Sequence, residues 1–128
     1  MTIRRFDSRR QKGIQAELAA RRYLQDNGYH LLHANWRCAR GELDFVCLFE
    51  DRLVFVEVRS KTRSGSYGTA LEAIHPVKQQ QVRKVAQYYI QRYHHEERMI
   101  RFDVIAIDGR WSNGEWTQVD LQHIPNAF

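Results

Sequence analysis

Three acids and two cations in the first half of the chain have the types and spacing that divalent-cation chemistry needs. The segments 43–49 and 53–58 are rich in β-branched and aromatic residues and read as strands. Glu50-Asp51 between them is short enough for a tight hairpin turn. A hairpin centred there makes facing residues sum to 101, so Asp44 lies opposite Glu57 and Glu42 opposite Arg59. Facing Cβ atoms lie only about 4.5–5.5 Å apart, and like charges at that distance are destabilising. Two carboxylates so placed need a shared proton or a cation. Oxygen ligands select a hard divalent ion, Mg²⁺ or Mn²⁺. A slip of one residue would put Asp44 and Glu57 on opposite faces. The competing arrangement pairs Glu42 with Arg59 and leaves the two other acids at a solvated strand end.

A third acid points the same way. Gly13, Glu17, Ala20 and Leu24 fall on one face of a helix, with Ala16 beside Glu17. An acid among small apolar residues on an inward face needs a partner. The small residues would let this helix approach the strands closely and bring Glu17 near the acid pair. The alternatives are a Glu at the edge of the face that reaches solvent, or one bonded to a nearby Arg. Arg59 follows Glu57 by two and shares its face. As a guanidinium it can stabilise developing charge but is a poor general base. Lys61, two residues on, can reach the same region.

These residues need elements to position them. The helical pattern runs from Gly13 to about Asn27, where Asn27-Gly28 is a stop signal. Residues 29–36 read as a strand. Residues 61–69 form a polar, Gly/Ser-containing loop. Pro76 suits the first turn of a second helix, whose apolar stripe is Val82, Val85, Ala86, Tyr89 and Tyr93. Residues 102–107 are a further strand. Asn113-Gly114 signals a terminal hairpin flanked by Trp111 and Trp116. This order predicts an α/β domain with a mixed sheet between helices.

The chain has 128 residues and a net charge of +5, enough for one domain. The division expected is a basic tail over residues 1–11 and a folded domain over 12–128. The charge is segregated: residues 1–40 carry net +6, 41–58 net −4, 59–92 net +6 and 93–128 net −3. Acids would repel phosphate in a plain electrostatic nucleic-acid binder. A metal-dependent phosphodiesterase, in contrast, needs cation-binding carboxylates framed by phosphate-binding cations. Lys61, Arg63, Lys78, Arg83 and Lys84 are the candidates for phosphate contact. Asp103, alternating with apolar neighbours, reads as a structural acid, and the six histidines read as surface residues. The two cysteines make neither a disulfide framework nor a four-ligand zinc site. The basic N-terminus has no secretory apolar core, and no apolar run approaches the roughly 20 residues that span a bilayer. The expected location is the cytoplasm, away from membranes.

Gly13-x-x-x-Glu17, Gly41-Glu42-Leu43-Asp44 and Val54-Phe55-Val56-Glu57-Val58-Arg59 together resemble the PD-(D/E)xK nuclease signature. With Tyr67-Gly68, Lys78-Gln79 and Arg101-Phe102-Asp103-Val104, the chain from Gly13 to Ile107 resembles the bacterial YraN family. The resemblance implies a restriction-endonuclease-like fold, akin to archaeal Holliday-junction resolvases. It implies Glu17, Asp44 and Glu57 as metal ligands and Arg59 in the catalytic-lysine position, a departure from the usual pattern. The expected function is a Mg²⁺- or Mn²⁺-dependent endonuclease acting on DNA, branched or single-stranded. A junction substrate would favour a homodimer, although no segment marks an interface. The alternatives are a catalytically weak or silent nucleic-acid-binding module on the same fold, or a small adaptor for protein partners.

Overall fold

The computed structural model describes residues 5–62 and 74–128, with side chains from residue 8 onward. The chain runs α1 (Arg5–Asp26), β1 (His30–Cys38), β2 (Gly41–Phe49), β3 (Arg52–Thr62), α2 (Pro76–Tyr93), β4 (Ile100–Ser112) and β5 (Glu115–Ile124). Residues 5–11, expected as a tail, form the first turns of α1. The apolar periodicity marks only the part of that helix that meets the sheet. The arginines, glutamine and lysine before it are good helix formers that carry no periodic signal.

One mixed sheet has the strand order β1-β2-β3-β4-β5. Only β3 and β4 run parallel, and α2 lies between them in the chain. The other neighbours pair antiparallel. The sheet separates two apolar clusters. On one face Ala16, Ala20 and Leu24 of α1 pack against Phe45, Cys47, Val54, Val56, Ile105 and Ile107. On the other, Val82, Val85, Ala86 and Tyr89 of α2 pack against Leu43, Val46, Leu53 and Phe55. Both helices bury the stripes their spacing predicts. The result is an α/β, restriction-endonuclease-like single domain, its mixed sheet flanked by the two helices.

The β2–β3 hairpin has the expected register, from Phe45↔Val56 to Phe49↔Arg52. Its turn puts Glu50 (φ 49°) and Asp51 (φ 66°) in the left-handed region, as Asn113 (φ 52°) and Gly114 (φ 77°) do in the second hairpin. Two-residue turns of this kind match the right-handed twist of the strands they join. The α2 helix begins at Pro76, and the His75 ring accepts from the Val77 N–H at 3.1 Å.

Two histidines are not the surface residues expected. His33 bonds the Tyr89 hydroxyl at 2.7 Å, and His123 is buried between Tyr23 and Asp103, whereas the exposed His75 caps α2. Asp103 is fully buried and structural. It takes two hydrogen bonds from Arg101 at 2.8 and 2.9 Å, one from the Asn126 N–H at 3.0 Å, and lies 2.7 Å from His123 Nε2. The Arg101-Phe102-Asp103 motif therefore ties β4 to the C-terminal segment. Cys38 and Cys47 are free, and burial pushes the Cys47 thiol up to about 12.

Candidate functional site

The site sits where two neighbouring strands break their alternation on the same rung. Leu43 packs on the α2 side and Phe45 on the α1 side, although residues two apart on a regular strand share a face. Between them, Asp44 turns into a cavity on the α1 side. Across from it on β1, the pairs Ala34↔Phe45 and Trp36↔Leu43 bracket Asn35, which has φ 53°. Asn35 reaches the same cavity, and its amide donates to Glu17 Oε1. The cavity, about 130 Å³, is lined by Gly13, Ala16 and Glu17 of α1, Asn35, Asp44, Phe45, and Val58 and Ser60 of β3. The small residues of α1 thus border open space beside Glu17.

The β2–β3 ladder ends at Phe45↔Val56. One residue further, the Asp44 side chain replaces main-chain pairing: its Oδ2 accepts from the Val58 N–H at 2.9 Å. The Asp44 backbone lies beside the Glu57 carboxyl and favours its ionised form. Glu57 is 3% exposed and points to the α2 side, where Lys78 Nζ lies 3.6 Å from its Oε1. Burial raises the Glu57 carboxyl to about 7, and the neighbouring Asp44 adds to the rise while Lys78 opposes it. Burial also raises Asp44, opposed by the Val58 hydrogen bond and Lys78 and reinforced by Glu42 and Glu17. A half-buried and a buried carboxylate, Asp44 and Glu57, therefore repel each other across adjacent strands, offset by one lysine.

The sequence-predicted residues are placed as follows. Asp44 and Glu57 are near enough to influence each other's charge, but they do not share a face as the register implied: Asp44 turns into the α1-side cavity, which it shares with Glu17, and Glu57 points to the α2 side. Glu42 pairs with the exposed Arg37 at 3.2 Å. Arg59 is half-buried on β3, and Lys61 is exposed near that strand's end. Arg63 and the Tyr67-Gly68 segment lie outside the described residues. Lys78, expected on a phosphate track, turns inward to Glu57. The Arg83 guanidinium rests 5.0 Å from the Phe102 ring centre and 5.5 Å from that of Phe128. Lys84 is exposed.

The donor chemistry suits a hard cation in part. Asp44 and Glu57 offer oxygen ligands and surplus negative charge. Among the described residues, however, no group of three His, Cys, Asp or Glu side chains is close enough to hold a metal ion. Glu17, tied to Asn35, stands off from the pair. Asn35 and Ser60 are the site residues that sequence reasoning missed. An Asn within a strand, beside Trp36, was the available signal for the first; Ser60 carried none.

The fold resembles that of the PD-(D/E)xK nuclease-like proteins. The chain belongs to the uncharacterised protein family UPF0102, the YraN family, which it matches over residues 16–107. It is 45% identical over 122 residues to a UPF0102 protein of Pseudomonas savastanoi, covering 94% of this chain and 95% of the relative. It is 39% identical over 117 residues to one from Chlorobium phaeobacteroides, covering 91% and 92%. A UPF0102 protein of Caldicellulosiruptor saccharolyticus is 36% identical over 121 residues, covering 94% and 99%. No helix among the described residues is long and apolar enough to cross a membrane.

Proposed function

We propose that this chain is a divalent-metal-dependent endonuclease of the PD-(D/E)xK class that hydrolyses DNA phosphodiester bonds. The observation that carries the reading is the Asp44–Glu57 pair: a half-buried and a buried carboxylate on adjacent strands, with Glu57 raised to about 7. Neighbouring like charges withdrawn from water destabilise a fold, and such perturbed pairs concentrate at functional sites. Asp44 and Glu57 would hold Mg²⁺ or Mn²⁺, with Glu17 reaching the pair from across the cavity. When bound, such an ion supplies Lewis-acid polarisation of a phosphoryl oxygen.

The chain's own residues supply the rest. The Val58 N–H fixes Asp44, and Lys78 steadies the ionised form of Glu57. A guanidinium is a poor general base, so the role of Arg59 is to stabilise charge on the phosphate. Lys61, Arg63, Lys84 and the basic stretch before Gly13 would meet the DNA backbone, and Arg83 would add to them if it left the Phe102 ring. A DNA substrate implies a cytoplasmic protein, and a junction substrate a homodimer. The second reading, a silent nucleic-acid-binding module, is favoured by Arg59 in the lysine position and by the two-carboxylate site. The protein-adaptor reading has no residue that speaks for it.

The test is cleavage of linear duplex, single-stranded and four-way-junction DNA with Mg²⁺, Mn²⁺ or EDTA. Wild type should cut only with metal, and Asp44→Asn and Glu57→Gln should lose roughly a hundredfold or more. Equal activity in all three proteins would mean a contaminant and overturn the reading. Binding without cleavage by wild type would establish the silent module.

A further inference from the structure

We infer that the exposed face of α2 beside the candidate site binds a single-stranded segment of nucleic acid. The inference rests on the nuclease reading for its biological sense, but on separate residues for its evidence. Starting at Lys78, the polar residues Gln81, Lys84, Tyr88 and Gln91 recur at spacings of three and four, which makes one helical stripe. At 1.5 Å per residue this stripe is roughly 20 Å long. Arg40, in the turn between β1 and β2, meets it. Its guanidinium carbon lies 5.6 Å from the centre of the Tyr88 ring. Arg40, Gln81, Lys84, Gln87, Tyr88 and Gln91 line a groove of about 490 Å³. Among the described residues this lining holds two cations and no acid.

The groove reaches the start of the strand that carries Asp44. Gly41 follows Arg40 and precedes Asp44 by three residues. Its φ of 149° suits only glycine, and a Cβ there would stand 3.0 Å from Val85 Cγ2 and 3.3 Å from Gln81 Nε2. Gly41 therefore seats Gln81 against the β1–β2 turn and joins the groove to the strand that carries Asp44.

The chemistry of the lining selects unpaired bases. Tyr88 is 42% exposed while its neighbour Tyr89 fills the core, so the Tyr88 ring is not needed for packing. An exposed aromatic ring stacks on a base of any type, and an arginine on that ring adds a cation–π contribution. Glutamine amides both donate and accept, matching the mixed edges of bases. In a duplex the base faces are already stacked and closed to Tyr88. Two cations suit a short run of phosphates rather than a duplex backbone.

The test is fluorescence anisotropy with a short fluorescein-labelled oligodeoxythymidylate and a hairpin duplex, both in EDTA, so that neither metal nor cleavage enters. Tyr88→Ala should weaken binding of the single strand about fivefold or more and leave the duplex unchanged. Tyr88→Phe should bind as wild type does. Arg40→Ala and Lys84→Ala should each weaken single-strand binding and flatten its salt dependence. Circular dichroism should show every variant folded, since the three groove positions are exposed. An unchanged single-strand affinity in Tyr88→Ala would overturn the inference. So would an equal loss on both probes, which would mark a duplex-backbone surface. If wild type cuts no DNA but Tyr88→Ala loses the single strand, the nuclease reading fails and the groove stands. If wild type cuts and Tyr88→Ala binds normally, the groove fails and the nuclease reading stands.

Discussion

The Asp44 carboxylate occupies the place of a main-chain partner: its Oδ2 accepts from the Val58 N–H at 2.9 Å, one residue beyond the last regular pair of the β2–β3 ladder. That one bond holds the carboxylate beside Glu57 and leaves the cavity under α1. The site is thus a break in the sheet that a side chain repairs. Asparagine can repair it too, through its amide oxygen, whereas alanine cannot. A buried N–H left without a partner costs about 1–3 kcal/mol. Asp44→Ala should therefore be less stable than Asp44→Asn by about that amount in urea unfolding. Coincident midpoints would show that the Val58 N–H does not depend on this side chain.

Glu57 should make the metal-free protein less stable as pH rises. Its carboxyl sits at about 7 in the folded chain, raised first by burial and then by Asp44. Unfolded, it would titrate near the ordinary value of about 4.3. The folded state therefore holds the proton more tightly between those values. Stability should fall as pH rises from about 4.3 towards 7, then level off. Glu57→Gln cannot ionise, so it should remove that slope and exceed wild type by up to about 3 kcal/mol at pH 8. Thermal melts across this range check it. A parallel pH profile in the variant would contradict the assignment.

How far the sequence revealed all this depended on the kind of signal. The apolar stripes of α1 and α2 and the hairpin register were legible because helix and strand periods are local. The early start of α1 was not, because its first turns bury no apolar stripe. Neither was the break at Asn35 and Asp44. It depends on a side chain bonding to a backbone group fourteen residues away, which no period records. Lys78 stands near the start of α2, whose place at the end of β3 is set by the parallel crossover rather than by local spacing. His33 and His123 were misread for the same reason. Their partners Tyr89 and Tyr23 lie 56 and 100 residues away.

The Asp103 network should fail in acid. Burial alone would raise this carboxyl, but hydrogen bonds from His123, Arg101 and the Asn126 N–H outweigh it and hold it below the ordinary carboxylate range. The stability it contributes is fully present above about 3.9 and is lost as pH falls through its lower folded value. Asp103→Asn should cost about 3–5 kcal/mol at neutral pH, because Arg101 would be left buried without its counter-charge. It should also flatten the acid limb of the unfolding profile. An unchanged acid limb would assign that limb to other carboxylates.

Gly109 should resist replacement. A Cβ there would lie 2.1 Å from Trp116 Cζ2, and the indole is held in place by a 3.1 Å hydrogen bond from its Nε1 to Thr62. Gly109→Ala should cost about 1–3 kcal/mol through overpacking. Adding Trp116→Leu should make the second substitution cost less than it does alone. Strict additivity in thermal melts would show that the two side chains do not compete for the same space.

Calorimetric titration of the metal-free protein with Mn²⁺ shows whether Asp44 and Glu57 form a site for a divalent cation. Wild type should bind one ion per chain and release protons, since Glu57 must ionise to accept it. Asp44→Asn and Glu57→Gln should each weaken binding about tenfold or more, while Tyr88→Ala should bind as wild type does. Equal Mn²⁺ binding by wild type and both carboxylate variants, or none by wild type, would contradict the account.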